Sequence, residues 1–375
     1  MSIRVSPSAS PGWLKYRLAA LFLLISAPPA VACPLCYEAV QQLATVGQQL
    51  GTADRAVLAA RIAGGNRFRI VEIIKGRGAI GDIIAEPVTD PDATAATGRD
   101  PVLLLGDPLA PQWSSLGTIR AEYANWLRQL AATHLVKGDP LRPTWSLTTQ
   151  GAAALMGWRQ RIALIQPYLE NSDPLAAQIS WGELARAPYT TMDVVRSRLD
   201  AATVTTWVQD PKLASRHAAY ILLLGFVGGP SDAARIELQI DAARNSHDIK
   251  NLGAMIAADL ELRGPFRVGW VEAMYFADHS RTLPEIEAAL LALSVHGDAN
   301  RTVPRERVIQ AYRAFIRERP PMAGFVAPQL GDWNYWDATT EYAALLKSNA
   351  IKDPASEFAV VNYLQRAAAA RPDLR

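Results

Sequence analysis

The chain has 375 residues, half of them apolar, with 38 basic against 36 acidic side chains and two cysteines. A net charge of +2 without any basic run or basic helix face excludes nucleic acid and anionic lipid as obvious partners. Two cysteines without a second C-x-x-C or a His-x-x-x-His exclude a four-ligand structural zinc.

Residues 1–32 read as a secretory signal. Arg4, Lys15 and Arg17 give a positive start, "LAALFLLI" (Leu18 to Ile25) is a short apolar stretch, and Ala30-Val31-Ala32 offers a cleavage site. The apolar run is too short for a bilayer core of roughly 30 Å. Removing this segment takes three positive and no negative charges, so +2 becomes −1 and 343 residues remain. The expected location is extracytoplasmic: periplasmic, secreted, or held by a lipid at the outer envelope.

Cys33 and Cys36 follow directly, in "ACPLCYEAV". Three readings stand. A disulfide closing this small loop in an oxidising compartment ranks first, although so short a loop contributes little by chain entropy. Acylation of Cys33 is the second; "AVA" lacks the large aliphatic residue usual three positions upstream. The third is a thiol–disulfide oxidoreductase, with Cys33 as nucleophile and Cys36 as resolving thiol, its thiolate favoured by the helix that follows. No βαβ pattern surrounds the motif to support it. Haem attachment would need His at position 37, which is Tyr37.

Residues 37–50 place Val40, Leu43, Val46 and Leu50 at helical spacing. Between 55 and 106, "RAVLAARI", "NRFRIVEII", "GDIIAEPV" and "PVLLLGD" are short apolar or alternating runs separated by turn residues. They predict a small, mostly antiparallel β module, with "GGN" (64–66) and "GRG" (76–78) as hairpin turns. "APQWSS" around Trp113 reads as the link to a helical part beginning near 118.

That helical part shows a period. Asp173-Pro174 and Asp210-Pro211 lie 37 residues apart, and a third unit starts 38 residues later near Asp248. Each unit carries an Ala-rich helix, a Pro breaker and a second helix: "MDVVRSRLD", "SDAARIELQIDAAR" and "VGWVEAMYFAD". Further units start near Leu283, Pro320 and Asp353. One helical hairpin every 33–38 residues is the spacing of an α-solenoid.

The units resemble HEAT-like repeats by period and punctuation. The β region, with "GTADRAVLAARI", "RFRIVEIIKG" and a cysteine at the expected mature start, resembles a reduced netrin-like or metalloproteinase-inhibitor-type OB barrel. That family begins C-x-C and carries several disulfides, whereas this chain has C-x-x-C alone. The resemblance implies an inhibitor presenting the Cys33 amine and carbonyl to a protease zinc. The whole arrangement also resembles exported bacterial proteins with a CPxC start, a β module and helical repeats.

The expected fold is therefore α+β, mainly α: a signal (1–32), an N-terminal helix with an OB-like β module (33–117), and a HEAT-like α-solenoid (118–375). No G-x-S-x-G elbow and no phosphate-cradling loop occurs. His134, His217, His247, His279 and His296 are scattered and read as capping or surface residues. Trp333, Tyr335 and Trp336, in "GDWNYWD", are the binding candidate, three aromatics within four residues. They can form a stacking platform or plug the joint between the last helix pairs, and packing is favoured. The function expected is non-catalytic binding or scaffolding of a protein or peptide in the cell envelope, with no cofactor or metal, and membrane contact only through a lipid on Cys33.

Overall fold

The computed structural model describes residues 45–62, 67–89, 100–106, 111–133 and 152–371. All of them fall within one compact unit, Val31–Arg375. The fold is α+β and mainly helical, and the β part comes first. A short helix, α1 (Val46–Thr52), is closed by a reciprocal cap: Gln48 N donates to Thr45 Oγ1, and Thr45 N donates to Gln48 Oε1, each at 3.1 Å.

Six strands follow: β1 (Arg55–Arg61), β2 (Phe68–Lys75), β3 (Ile83–Ile84), β4 (Val88–Thr89), β5 (Val102–Gly106) and β6 (Trp113–Thr118). Their order is β3-β2-β1-β5-β6-β4, antiparallel except for the parallel β4–β6 pair. Alternation sends Ala56, Leu58, Leu103 and Leu105 to the face that joins the main helical core. Val57, Ala59, Phe68, Ile84, Leu104 and Trp113 form a second, separate core on the other face. The sheet curls around this second core, so β1 and β5 are buried on both sides. Gly76, at φ +82°, leaves β2 where a Cβ would lie 2.3 Å from the Asp54 carbonyl oxygen, so only glycine fits.

The segment around Trp113 is a correction to the sequence reading. It is the sixth strand, not a link, and it pairs with both β5 and β4. Its inward positions are Trp113 and Ser115, and a buried serine hides the alternation from a hydropathy pattern. "GRG" also departs from a tight hairpin: β2 and β3 pair as Phe68↔Ile84, leaving a wide connection over 76–82. "GGN" lies outside the described residues.

The helical part comprises α2 (Ala124–Ala132), α3 (Ala152–Ile165), α4 (Pro174–Arg186), α5 (Ala201–Gln209), α6 (His217–Val227), α7 (Pro230–Ser246), α8 (Leu252–Arg263) and α9 (Arg267–Val271). It continues with α10 (Leu283–Ala299), α11 (Arg305–Glu318), α12 (Ala327–Asp332), α13 (Thr339–Lys347) and α14 (Pro354–Ala370). A 3₁₀ segment, Tyr189–Ser197, stands where "MDVVRSRLD" predicts a helix, and α9 runs on into a π-helix, Glu272–Ala277.

The recurrent Asp-Pro pairs have a local cause. Asp173 accepts from Leu175 N and Ala176 N, Asp210 from Lys212 N, and Asp353 from Ser356 N, while each following proline takes the first helical position. An N-cap aspartate with Pro after it satisfies free backbone donors where no intrahelical partner exists. The period therefore marks helix starts. The helices α6, α8 and α10 lie side by side as an inner row, with α5, α7 and α11 packed against their outer side. Inner-row helices are covered from several directions, so "HAAYILLLGFV" and "LGAMIAADLELR" are apolar nearly all round.

Helix α1 meets α3 and α4 at a sealed contact. Arg161 on α3 and Glu183 on α4 form an ion pair with 2% and 0% side-chain exposure, and Thr45 donates its hydroxyl to Glu183. Gly47 on α1 lies so close that a Cβ would sit 2.4 Å from Glu183 Oε1.

Candidate functional site

The described residues hold one cluster in which several cations stay open to solvent above buried carboxylates. The 3₁₀ segment 189–197 touches α3, α6 and α10, which brings together residues far apart in sequence. Asp193 receives Arg159 from α3 at 3.1 Å and Arg301, which follows α10, on its other oxygen. Glu261, in the last turn of α8, receives Arg196 and the Thr302 hydroxyl on Oε1, the latter at 2.7 Å. Tyr189 donates its hydroxyl to Glu261 Oε2 at 3.2 Å.

Burial separates the two signs of charge. The Asp193 and Glu261 side chains are 14% and 5% exposed, whereas Arg159, Arg196 and Arg301 are 41%, 49% and 46% exposed. The surface is therefore cationic, and its counter-charges lie beneath it. Glu261 is an unexpected residue for helix stability, since a carboxylate at a helix C-terminus opposes the helix dipole.

His296 closes the floor of this cluster. Its Nε2 lies 2.9 Å from the Ala257 carbonyl oxygen, an acceptor, so Nε2 carries a proton. Nδ1 faces Glu261 Oε2 at 3.8 Å. Burial holds the imidazole below its ordinary pKa, against the opposing pull of the Ala257 bond and Glu261. At 1% exposure this histidine packs beneath Glu261 and does not face solvent. His296 is thus neither a cap nor a surface residue, which corrects the sequence reading for that position. His217 does sit at a helix start, its Nε2 2.8 Å from the Asp210 carbonyl oxygen, and His279 is exposed. His134 lies outside the described residues.

A second polar cluster joins the end of α7 to the start of α10. His247, in the left-handed conformation after α7, meets Glu285 through Nδ1 at 3.0 Å. Burial alone would raise the Glu285 carboxyl. Hydrogen bonds from His247, the Thr282 amide and hydroxyl, and Arg281 instead hold it down at about 2. Glu285 is also the third residue of its helix and completes a capping box with Thr282, so its bonds serve the helix start.

The aromatic segment lies at the joint of the last helix pairs. Trp333 stacks on Tyr312, with centroids 5.6 Å apart and planes 6° apart, and donates from Nε1 to Asp298 Oδ1 at 2.7 Å. A Cβ on Gly297 would fall 2.3 Å from the Trp333 ring, so α10 carries glycine where the indole rests on it. Trp336 packs on Tyr363, whose hydroxyl donates to the Tyr335 carbonyl. Trp333 and Trp336 are each 8% exposed and Tyr335 is half-buried, so the two indoles present little surface to a ligand. Asp298, buried beneath Trp333 and Gln329, has its pKa pushed up to about 6 by burial, against the Trp333, Arg305 and Gln329 contributions.

Cys33 and Cys36 lie outside the described residues. No three His, Cys, Asp or Glu side chains gather as a metal site among the described residues. No helix among them is long and apolar enough to cross a membrane. Sequence reasoning missed Arg159, Asp193, Arg196, Glu261 and Arg301 because they form no local motif. The available signal was the charged tail of "MDVVRSRLD", which reads as a solvated helix face. Comparison with known proteins returns no matching family model, curated relative or solved structure.

Proposed function

We propose that this chain is an exported binding or scaffolding protein that works through the surface of its helical array. The observation that carries this reading is the succession of helix pairs between Ala201 and Ala370, each packed against the next. Such an array spends its apolar faces on neighbouring pairs and leaves a long run of side chains for a partner. In this reading the array is a HEAT-like solenoid and the curled sheet an OB-like module, and the chain is akin to exported bacterial proteins with a CPxC start. The partner is a protein or peptide of the cell envelope. Cys33 and Cys36 then form a small disulfide, or Cys33 carries a lipid.

Two measurements test the proposal. Intact mass of the protein isolated from its own host is expected to begin at residue 33; a chain still starting at Met1 overturns export. Photo-crosslinking residues placed singly at Leu238 and Phe358, both 71% exposed on the array, and at Ile80, 66% exposed on the sheet module, then locate the partner. Crosslinks to one envelope protein from the array positions are expected. Crosslinks from Ile80 alone, or none at all, remove the array as the working surface.

A further inference from the structure

We infer that Arg159, Arg196 and Arg301 form a docking site for an acidic peptide segment of a partner protein. This rests on the reading of the helical array as a binding surface and names the chemistry that surface takes.

The three guanidiniums are held in place by more structure than surface ion pairs need. Asp193 pairs by charge with both Arg159 and Arg301, and the Arg159 hydrogen bond goes to the Thr190 carbonyl at 3.1 Å. Glu261 fixes Arg196 and is itself held by Tyr189 and Thr302, with His296 behind. Arg196 also lies over the Phe226 ring, 5.4 Å from its centroid. Each guanidinium is thus held through one nitrogen on a side chain that stays 41–49% exposed. A planar fork fixed in this way accepts a second carboxylate with little further loss of side-chain entropy.

Position explains why a carboxylate was placed where the helix dipole disfavours it. Glu261 contributes nothing to the end of α8 by charge, but it orients Arg196 and, through Thr302, the backbone beside Arg301. The anchors also indicate the shape of the ligand. Two of the guanidiniums share Asp193 and the third sits on Glu261, so three cations gather over two anchor points. Cations held on two separate anchors suit carboxylates spaced along a chain better than one compact phosphate. With 38 basic and 36 acidic residues overall, this local excess of exposed cations is not a reflection of the whole chain's charge.

The test is fluorescence anisotropy with the purified full chain and a fluorescein-labelled peptide of alternating glutamate and serine. Saturable binding at 50 mM salt that weakens at 300 mM is expected. Arg159→Gln and Arg301→Gln each leave Asp193 one guanidinium, so the fold is kept, and each should weaken binding about tenfold, the loss of one charge-assisted pair. Arg366→Gln, at the far end of the array beside Asp332, should bind as the unaltered chain does. Equal binding by all four proteins, or no saturable binding, overturns the proposal. Displacement of the peptide by inorganic pyrophosphate at equal concentration makes this a phosphate site and also overturns it. If the envelope partner still crosslinks from Leu238 and Phe358 in Arg159→Gln and Arg301→Gln, the array reading stands and this site alone falls.

Discussion

Arg159 and Arg161 leave the same helix two residues apart, yet one meets Asp193 with 41% of its side chain exposed and the other meets Glu183 with 2%. Residues at i and i+2 point to different sides of a helix, so α3 divides two environments between them. On one side the pair is sealed among α1, α2 and α4, with Thr45 completing it. On the other the carboxylate is covered and the guanidinium is not. The chemistry is the same in both places; solvent access decides whether an arginine holds the fold together or is offered to something else.

The sealed side should show the largest effect when broken. Glu183→Ala strands the Arg161 guanidinium in the interior and is expected to cost about 3–5 kcal/mol in urea unfolding. Replacing both partners, Arg161→Met with Glu183→Leu, should cost less than Glu183→Ala alone, because no buried charge is left behind. A double replacement worse than the single one would mean that the pair is a net source of stability. Next in size is Gly47→Ala. The new methyl would meet Glu183 Oε1 and Arg161 Nη2 at 2.4 and 2.5 Å, about one ångström inside ordinary contact, and the neighbours are packed. A loss of about 1–3 kcal/mol is expected from overpacking. An unchanged midpoint would show that α1 can shift away from α4 freely.

Asp298 is a carboxylate of a third kind, covered but met directly only by the neutral donors of Trp333 and Gln329. Its pKa of about 6 lies above the ordinary 3.8. The folded state therefore holds a proton that the unfolded state has released between these two values, and its contribution to stability is present below about pH 4 and lost as pH rises through 6. From pH 7.5 to 5 this group should raise stability on the order of 1 kcal/mol. Glu285 and Asp278, both held down at about 2, act in the opposite sense, but only as pH falls from about 4 towards 2. Asp298→Asn removes the gain between pH 7.5 and 5, and paired melting curves of the two proteins measure it. Identical pH slopes would place the proton elsewhere.

What the sequence disclosed follows the range of each interaction. Asp173, Asp210 and Asp353 were legible as helix starts because an N-cap bonds to amides two or three residues away. Leu58, Leu103 and Leu105 were legible as strand residues because alternation is local. Ser115 was not, since its polar side chain breaks the apolar pattern while its backbone still pairs with β5. The 3₁₀ segment 189–197 carried apolar residues at helical spacing, so the tighter turn it takes against α3, α6 and α10 left no mark. The arginine cluster was illegible for a stronger reason: Arg159, Asp193, Glu261 and Arg301 meet across as many as 142 residues, and each alone is an ordinary charged residue on an amphipathic helix or its edge.

The open side should respond least. Arg159→Gln removes a half-exposed cation from a carboxylate that keeps Arg301, and exposed ion pairs contribute about 0–1 kcal/mol. The expected change in unfolding midpoint is correspondingly slight, and salt should erase it. A loss as large as that of Glu183→Ala would place Arg159 among the residues that hold the fold and take it out of the docking cluster. A small loss together with weakened peptide binding separates the two roles within one helix. The pattern requires that stability follow Arg161 and that recognition follow Arg159.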